Sequence, residues 1–353
     1  MLRHPVVRYI IAIVIGAGAL YLAFHKQHLG RLREELTEAN LYIIVAGTAV
    51  MFLSHLVRAW RYKMLLRPIV KHTRLFSAFR ALIAGYATNN IIPRGGDIVR
   101  PVLFSKRENI PVTSSVAVLL IERLADLIGL SALTGTIVLI FHNKLELEFP
   151  SLSYLTIPLA ALLFLICGFA LLILFSERKT KSVIKFIGRA LPRKLRTAIE
   201  KAAEHIEQGL VGIRKGTAVP VILGTLGISV LYTASMYVST LAFPNSKLLD
   251  VGFIDCFLLQ SMSGIAFILP SPGGTGTYHY LISQSLAILF GVPPETAIAF
   301  ATLTHASNYI LTTAIGISFM VADGVSLTSM KSIRSELPPS GRNGRPVHAV
   351  RPG

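Results

Sequence analysis

Three charged residues, Glu122, Arg123 and Asp126, sit in a run that is otherwise apolar from Val112 to Phe141. At mid-bilayer each such charge costs about 2.5–3.5 kcal/mol on insertion scales. Side chains of this kind face a protein interior or a wet cavity, where they hold a polar headgroup or relay protons. On one helix Arg123 reaches Asp126 at i, i+3, whereas Glu122 and Asp126 are like charges at i, i+4. Nine residues at about 1.5 Å each put Glu122 roughly 13 Å along the helix from Thr113, near the membrane centre. The trio carries a net negative charge, so a further cation must come from another segment. The stretch Asn89-Asn90-Ile91-Ile92-Pro93-Arg94-Gly95-Gly96-Asp97, followed by Arg100, offers Arg94 and Arg100.

The same stretch carries a second kind of chemistry. Gly95-Gly96 leads to Asp97, a suitable N-cap for a helix through about Lys106. Later, Pro270-Ser271-Pro272-Gly273-Gly274-Thr275-Gly276 leads to a helix through about Phe290, with Thr275 or Thr277 near its cap. Free amides and the positive dipole end at such helix starts bind phosphate-like anions. Arg94 and Arg100 would add bidentate phosphate contacts. The plainer reading is a helix break that lets a hairpin turn. Tyr278, His279 and His305 belong to the second stretch; His305 reads as a hydrogen-bonded core histidine and His55 as structural. Arg58, Trp60 and Arg61 read as interfacial anchors.

These residues must be held by membrane helices. Of 353 residues, 52% are hydrophobic and only 15% charged, and the mean hydropathy is +0.60, which places the chain among all-α polytopic membrane proteins. The net charge of +17 lies in loops between apolar runs. It is explained by anionic lipid and the positive-inside rule, not by nucleic acid. Cys167 and Cys256 lie in apolar runs and read as small buried hydrophobes. The basic N-terminus before Ile10–Phe24 resembles a signal peptide but lacks an A-x-A-type site near Ala23, so a retained first span is expected.

Six full spans are expected at about 7–24, 41–62, 113–141, 152–175, 217–241 and 294–321, each near the 20 or so residues a bilayer requires. Two more apolar regions, about 76–110 and 251–291, break at Pro93–Gly96 and Pro270–Gly276. Irregular backbone cannot face lipid, so both read as re-entrant or broken helical hairpins wrapped in protein. The segment Glu177–Lys215 holds eleven Lys/Arg against four Glu. It belongs with the arginine-rich stretch from Arg58 to Arg80 and the basic tail on the cytoplasmic side, which puts both termini there. The two breaks also match: each is followed by a helical stretch, then Ile110-Pro111 or Val292-Pro293, then a long span. Charge-derived orientation makes this an inverted repeat, with halves at about 41–141 and 217–321. Leu195, Ile199, Ile206, Leu210 and Ile213 form one stripe, giving an amphipathic cytoplasmic helix within about 180–215. Residues 326–353 read as a basic, disordered cytoplasmic tail after a transmembrane domain over 1–325. No metal-ligand cluster, G-x-S-x-G elbow or Walker-A loop is present, so neither a cofactor nor an enzyme constellation is expected.

Three stretches carry a resemblance: Asn89-x-x-x-Pro93-Arg94-Gly95-Gly96-Asp97-x-x-Arg100, Glu122-Arg123-x-x-Asp126, and Leu269-Pro270-x-x-Gly273-Gly274-x-Gly276. Together the chain resembles the lysylphosphatidylglycerol synthase transmembrane-region family, flippase-like integral membrane proteins, over about residues 5–325. Asp97 stands where the family more often has Glu, and His279 stands near a position that is commonly acidic. The resemblance implies lipid movement between leaflets of the cell inner (cytoplasmic) membrane. After Val321 about 32 mostly polar residues remain, so a stand-alone member without the soluble synthase domain is expected. The expectation is thus a transporter of an anionic, phosphate-bearing lipid. Arg94, Gly95, Gly96, Asp97, Arg100, Glu122, Arg123, Asp126, Pro270, Gly273, Gly274, Gly276 and His279 would form its binding and transport site. A membrane-embedded headgroup enzyme is the alternative, as is a partner subunit of a membrane-bound glycosyltransferase or lipid-modifying enzyme.

Overall fold

A computed structural model describes residues 5–70, 72–148, 150, 153–175, 216–244 and 246–324. The expected amphipathic helix at 180–215 and the tail at 326–353 lie outside these residues. The described chain is all helical. Four helices, α1 (Pro5–Phe24), α2 (Leu29–Glu38), α3 (Leu41–Leu66) and α4 (Leu75–Ile91), precede the first glycine break. α5 (Gly96–Glu108), α6 (Val112–Ile140), α7 (His142–Glu148) and α8 (Ser153–Phe175) follow it. The rest comprises α9 (Ala218–Thr240), α10 (Phe253–Ile268), α11 (Thr277–Phe290) and α12 (Pro294–Ala322).

α3 and α9 are each long and apolar enough to cross a bilayer. Counting the bent pairs α1–α2 (93°) and α6–α7 (69°) as single spans brings the total among the described residues to four. The expected six exceed that number, and their arrangement enters below as part of a proposal.

Element lengths repeat. α4, α5 and α6 have 17, 13 and 29 residues; α10, α11 and α12 have 16, 14 and 29. The short helices end alike, in the left-handed region at Asn109 (φ 54°) and Gly291 (φ 60°), a conformation that asparagine and glycine tolerate best. Pro111 and Pro293 then set the extended entry to the long helices.

The two halves interlock. α3 and α9 run side by side through small residues, with Ser235 Oγ donating to the Gly47 carbonyl at 2.7 Å. α12 lies against α4 and is linked to α3 where Thr48 Oγ1 donates to Ser307 Oγ at 2.9 Å. Asp323, just past α12, receives Arg80 of α4 at 2.7 Å and also Arg107 of α5. The mixed loop before α3 is mostly helix: Leu32 of α2 is buried, and Thr296 donates to Glu35 at 2.7 Å. Asn40 caps α3, its Oδ1 accepting from the Tyr42 amide at 3.0 Å.

Gly96 marks the tightest turn. A Cβ there would overlap the Gly85 carbonyl of α4, so only glycine lets α4 and α5 close on each other. Gly96→Leu is expected to destabilise the protein by about 1–3 kcal/mol through overpacking. Gly18→Ala, whose added carbon meets nothing within 4 Å, should stay within about 1 kcal/mol of wild type. Thermal midpoints of the detergent-solubilised variants check this; equal midpoints would contradict the close approach.

Candidate functional site

Glu122 lies on the inward face of α6 and is completely buried. Burying a bare carboxylate is costly unless it is paired and hydrogen-bonded. Arg100 of α5 supplies the pairing as a fork, with Nη2 donating to Oε2 at 2.7 Å and Nη1 to Oε1 at 3.1 Å. One turn further along α6, Asp126 accepts from Arg58 at 2.6 Å and from Arg61 at 2.5 Å. Both arginines come from α3 and also lie within ion-pair distance of Glu122, at 3.4 and 3.6 Å. Three guanidiniums therefore surround two carboxylates, and one positive charge is left without a counterpart.

The surroundings hold this group in place. Arg61 reaches across to α9, where Nη1 donates to Thr225 Oγ1 at 2.8 Å. The Arg100 guanidinium stacks over the Tyr62 ring at 4.4 Å, and the Tyr62 hydroxyl donates to the Ser115 carbonyl at 2.9 Å. Yet the Nε atoms of Arg58, Arg61 and Arg100 are buried and find no hydrogen-bond partner among the described residues. Both ring nitrogens of His55, one turn before Arg58, are in the same state. His55 is enclosed by Phe52, Tyr86 and Tyr232, as a structural residue would be. Near the end of α3, Lys63, Arg67 and His72 line a recess of about 310 Å³.

Other members of the expected site fall elsewhere. Arg123 does not turn to Asp126; it pairs with Asp97 at 2.7 Å, partly exposed, and so ties α6 to the start of α5. Asp97 is not the N-cap of α5. Gly95 holds that position, and the Asp97 carboxylate is spent on Arg123 instead. Arg94 is exposed, in the left-handed region at φ 61°, and its side chain does not join the cluster. Arg58 and Arg61, read as interfacial anchors, are instead the main partners of Asp126. α3 continues to Leu66, so both lie inside the helix rather than past its end. Their spacing of three was the available signal: it puts both on one helical face, with His55 and Tyr62 nearby.

The second break is organised without charge. Thr277 begins α11, Gly276 precedes it at φ 87°, and His279 Nδ1 accepts from the Gly276 amide at 3.4 Å. His305 Nε2 donates to the Gly273 carbonyl at 3.0 Å, so His305 is a hydrogen-bonded core residue as expected. Gly273, at φ 56°, lies against Asn90 of the first break, and Tyr309 donates to the Asn90 carbonyl at 2.9 Å. Gly274, at φ 77°, continues the turn, and Pro270 opens it next to the end of α10. The two breaks therefore touch. They hold different chemistry: the His305 and Tyr278 rings meet at a tilt, 5.3 Å apart, where the first half pairs Arg123 with Asp97.

Among the described residues no cluster of three or more potential ligands could hold a metal. Comparison with known proteins adds context. The family model described as "Lysylphosphatidylglycerol synthase TM region" matches residues 9–316. Glycosyltransferase AglD of Haloferax volcanii is 25% identical, over 83% of this chain and 51% of its own length, so the chain spans about half of that relative. The UPF0104 membrane protein MJ1595 of Methanocaldococcus jannaschii is 23% identical, over 82% of this chain and 87% of its own.

Arg100→Leu leaves Glu122 short of its bidentate partner. It is expected to cost less than the about 3–5 kcal/mol of a fully unpaired buried charge, because Arg58 and Arg61 stay near Glu122. Arg100→Leu with Glu122→Leu should recover most of the loss because the carboxylate that loses its fork is also removed. Arg123→Leu, in a partly exposed pair, should cost no more than about 1 kcal/mol. Thermal midpoints of the purified variants check the order, and a double variant no better than Arg100→Leu would refute the pairing.

Proposed function

The chain belongs to the lysylphosphatidylglycerol synthase transmembrane-region family, and from that premise we propose that it is a lipid flippase for an anionic, phosphate-bearing lipid in the cytoplasmic membrane. The reading rests on one observation: a buried cluster of three arginines and two carboxylates keeps an uncompensated positive charge and three unpartnered Nε–H donors. A phosphate matches both deficits. It brings the missing negative charge and several acceptor oxygens, which guanidinium forks bind well. Glu122 and Asp126 keep the arginines from holding the headgroup irreversibly, since each carboxylate competes with it for the same donors.

The proposal includes six spans with both termini cytoplasmic, and hairpins α4–α5 and α10–α11 entering from opposite faces. Repeated element lengths and touching breaks support it, and such inverted repeats are a common transporter plan. The basic recess at Lys63, Arg67 and His72 would gather headgroups at the cytoplasmic end. Arg123 and Asp97 would couple α5 to α6 as the cluster reorganises, and the glycine turns from Gly95 to Gly96 and from Gly273 to Gly276 would be its hinges. A second reading follows from the relative named as a glycosyltransferase, of which this chain matches about half. In it the domain serves a membrane-bound glycosyltransferase or other lipid-modifying enzyme as a partner, or itself acts on the headgroup.

Liposomes containing only the purified protein and fluorescent phosphatidylglycerol separate these readings. Transbilayer movement is expected, and Glu122→Gln, Asp126→Asn and Arg58→Ala should each slow it by about tenfold or more while insertion is retained. Wild-type rates in all three variants would refute the transport role of the cluster. A chemically altered lipid would favour the enzyme reading, and movement only after adding a partner enzyme the subunit reading.

A further inference from the structure

The end of the fold away from the Asp323 clamp holds a cavity of about 730 Å³, between the α1–α2 turn and the facing ends of α11 and α12. The distance follows from α12: Glu295 at its start lines the cavity, whereas Asp323 past its far end binds Arg80 and Arg107. At 1.5 Å per residue those points are about 40 Å apart, a full membrane thickness.

The lining brings together cations and acceptors that do not pair with one another. Lys26 and Arg31 form no ion pair with any described residue. Glu295, only 8% exposed, forms no hydrogen bond or ion pair with any described residue either. Gln27 spends its amide nitrogen on the Ala23 carbonyl at 3.1 Å, and its side-chain oxygen is buried without a partner. Cations and acceptors thus share one cavity without satisfying each other.

A bare phosphate would answer Lys26 and Arg31 but would meet repulsion from Glu295. An alkyl chain would answer none of them. A phosphate ester that also bears hydroxyls answers all: its oxygens accept from Arg31 and Lys26, and its O–H groups donate to Glu295 and Gln27. Tyr280 and Gln284 complete a wall with one flat ring and one amide, and the volume suits a small polar headgroup. We propose that this cavity is a second binding site, specific for a phosphorylated polyol. Its role as the release or loading site of the transported headgroup rests on the flippase reading; the binding itself does not.

The test is calorimetric titration of the full-length detergent-solubilised protein with sn-glycerol 3-phosphate, dihexanoyl-phosphatidylglycerol and inorganic phosphate. Both polyol phosphates should bind about fivefold or more tighter than inorganic phosphate, the value of a hydrogen bond or so. Joint replacement Lys26→Ala and Arg31→Ala, at two exposed positions that leave the fold intact, should weaken both by about tenfold or more. Glu295→Gln should erase the preference over inorganic phosphate. Either polyol phosphate binding tighter than the other supports the site: the lipid points to a membrane headgroup, the free ester to a soluble one. Unchanged affinity in the joint variant, no preference over inorganic phosphate, or no binding of any of the three overturns it. Binding of this pattern without lipid movement in liposomes keeps the cavity and loses the flippase reading. Lipid movement with binding unaffected by the joint variant does the reverse.

Discussion

An unequal count of buried charges governs this structure. Glu122 and Asp126 can lie inside an apolar helix only because Arg58, Arg61 and Arg100 converge on them from α3 and α5. Two carboxylates cannot neutralise three guanidiniums, and the low dielectric makes the remainder costly unless water or an anion answers it. The helices are placed to make the convergence possible. α3 must run alongside α6 and α9, and the first break must return α5 to the same depth. The fold and the cluster are thus one constraint seen at two scales.

How much of the fold and the cluster is legible in the sequence depends on where each partner resides. Glu122 and Asp126 announced themselves, because a carboxylate in an apolar run has few innocent explanations. Arg100 could be proposed as their counter-ion since it follows a break that had to be buried. Arg58 and Arg61 were misread for the opposite reason. Near the end of an apolar run followed by many basic residues, an arginine looks like an interfacial anchor. Only the position of α6 against that face of α3, a long-range contact, distinguishes the two roles. Arg94 differs from Arg100: it lies between the half-buried Pro93 and Gly95, its backbone is left-handed, and its side chain is exposed. Asp97 looked like a cap because sequence shows a cap's position and not its competitor, Arg123.

The two halves share a scaffold and not a chemistry. The helix lengths, the left-handed closures and the prolines at the long-helix starts correspond, and the breaks meet at Asn90 and Gly273. Where the first half sets Arg123 against Asp97 and buries Glu122, the second sets His305 against Tyr278 and bonds the Tyr278 hydroxyl to Thr304 at 3.2 Å. One half is charged and the other is polar but neutral at the matching positions. That difference makes the two breaks unlike in chemistry although the helices around them match in length.

The clamp at Asp323 has a further consequence, for biosynthesis. Arg107 lies 216 residues before its acidic partner, and Arg80 lies 243 before it. At synthesis rates of about 5–20 residues per second, α4 and α5 wait on the order of 10–50 s for the residue that anchors Arg80 and Arg107. α12, which carries Asp323 just past its end, therefore sets the moment at which the first half gains this anchor.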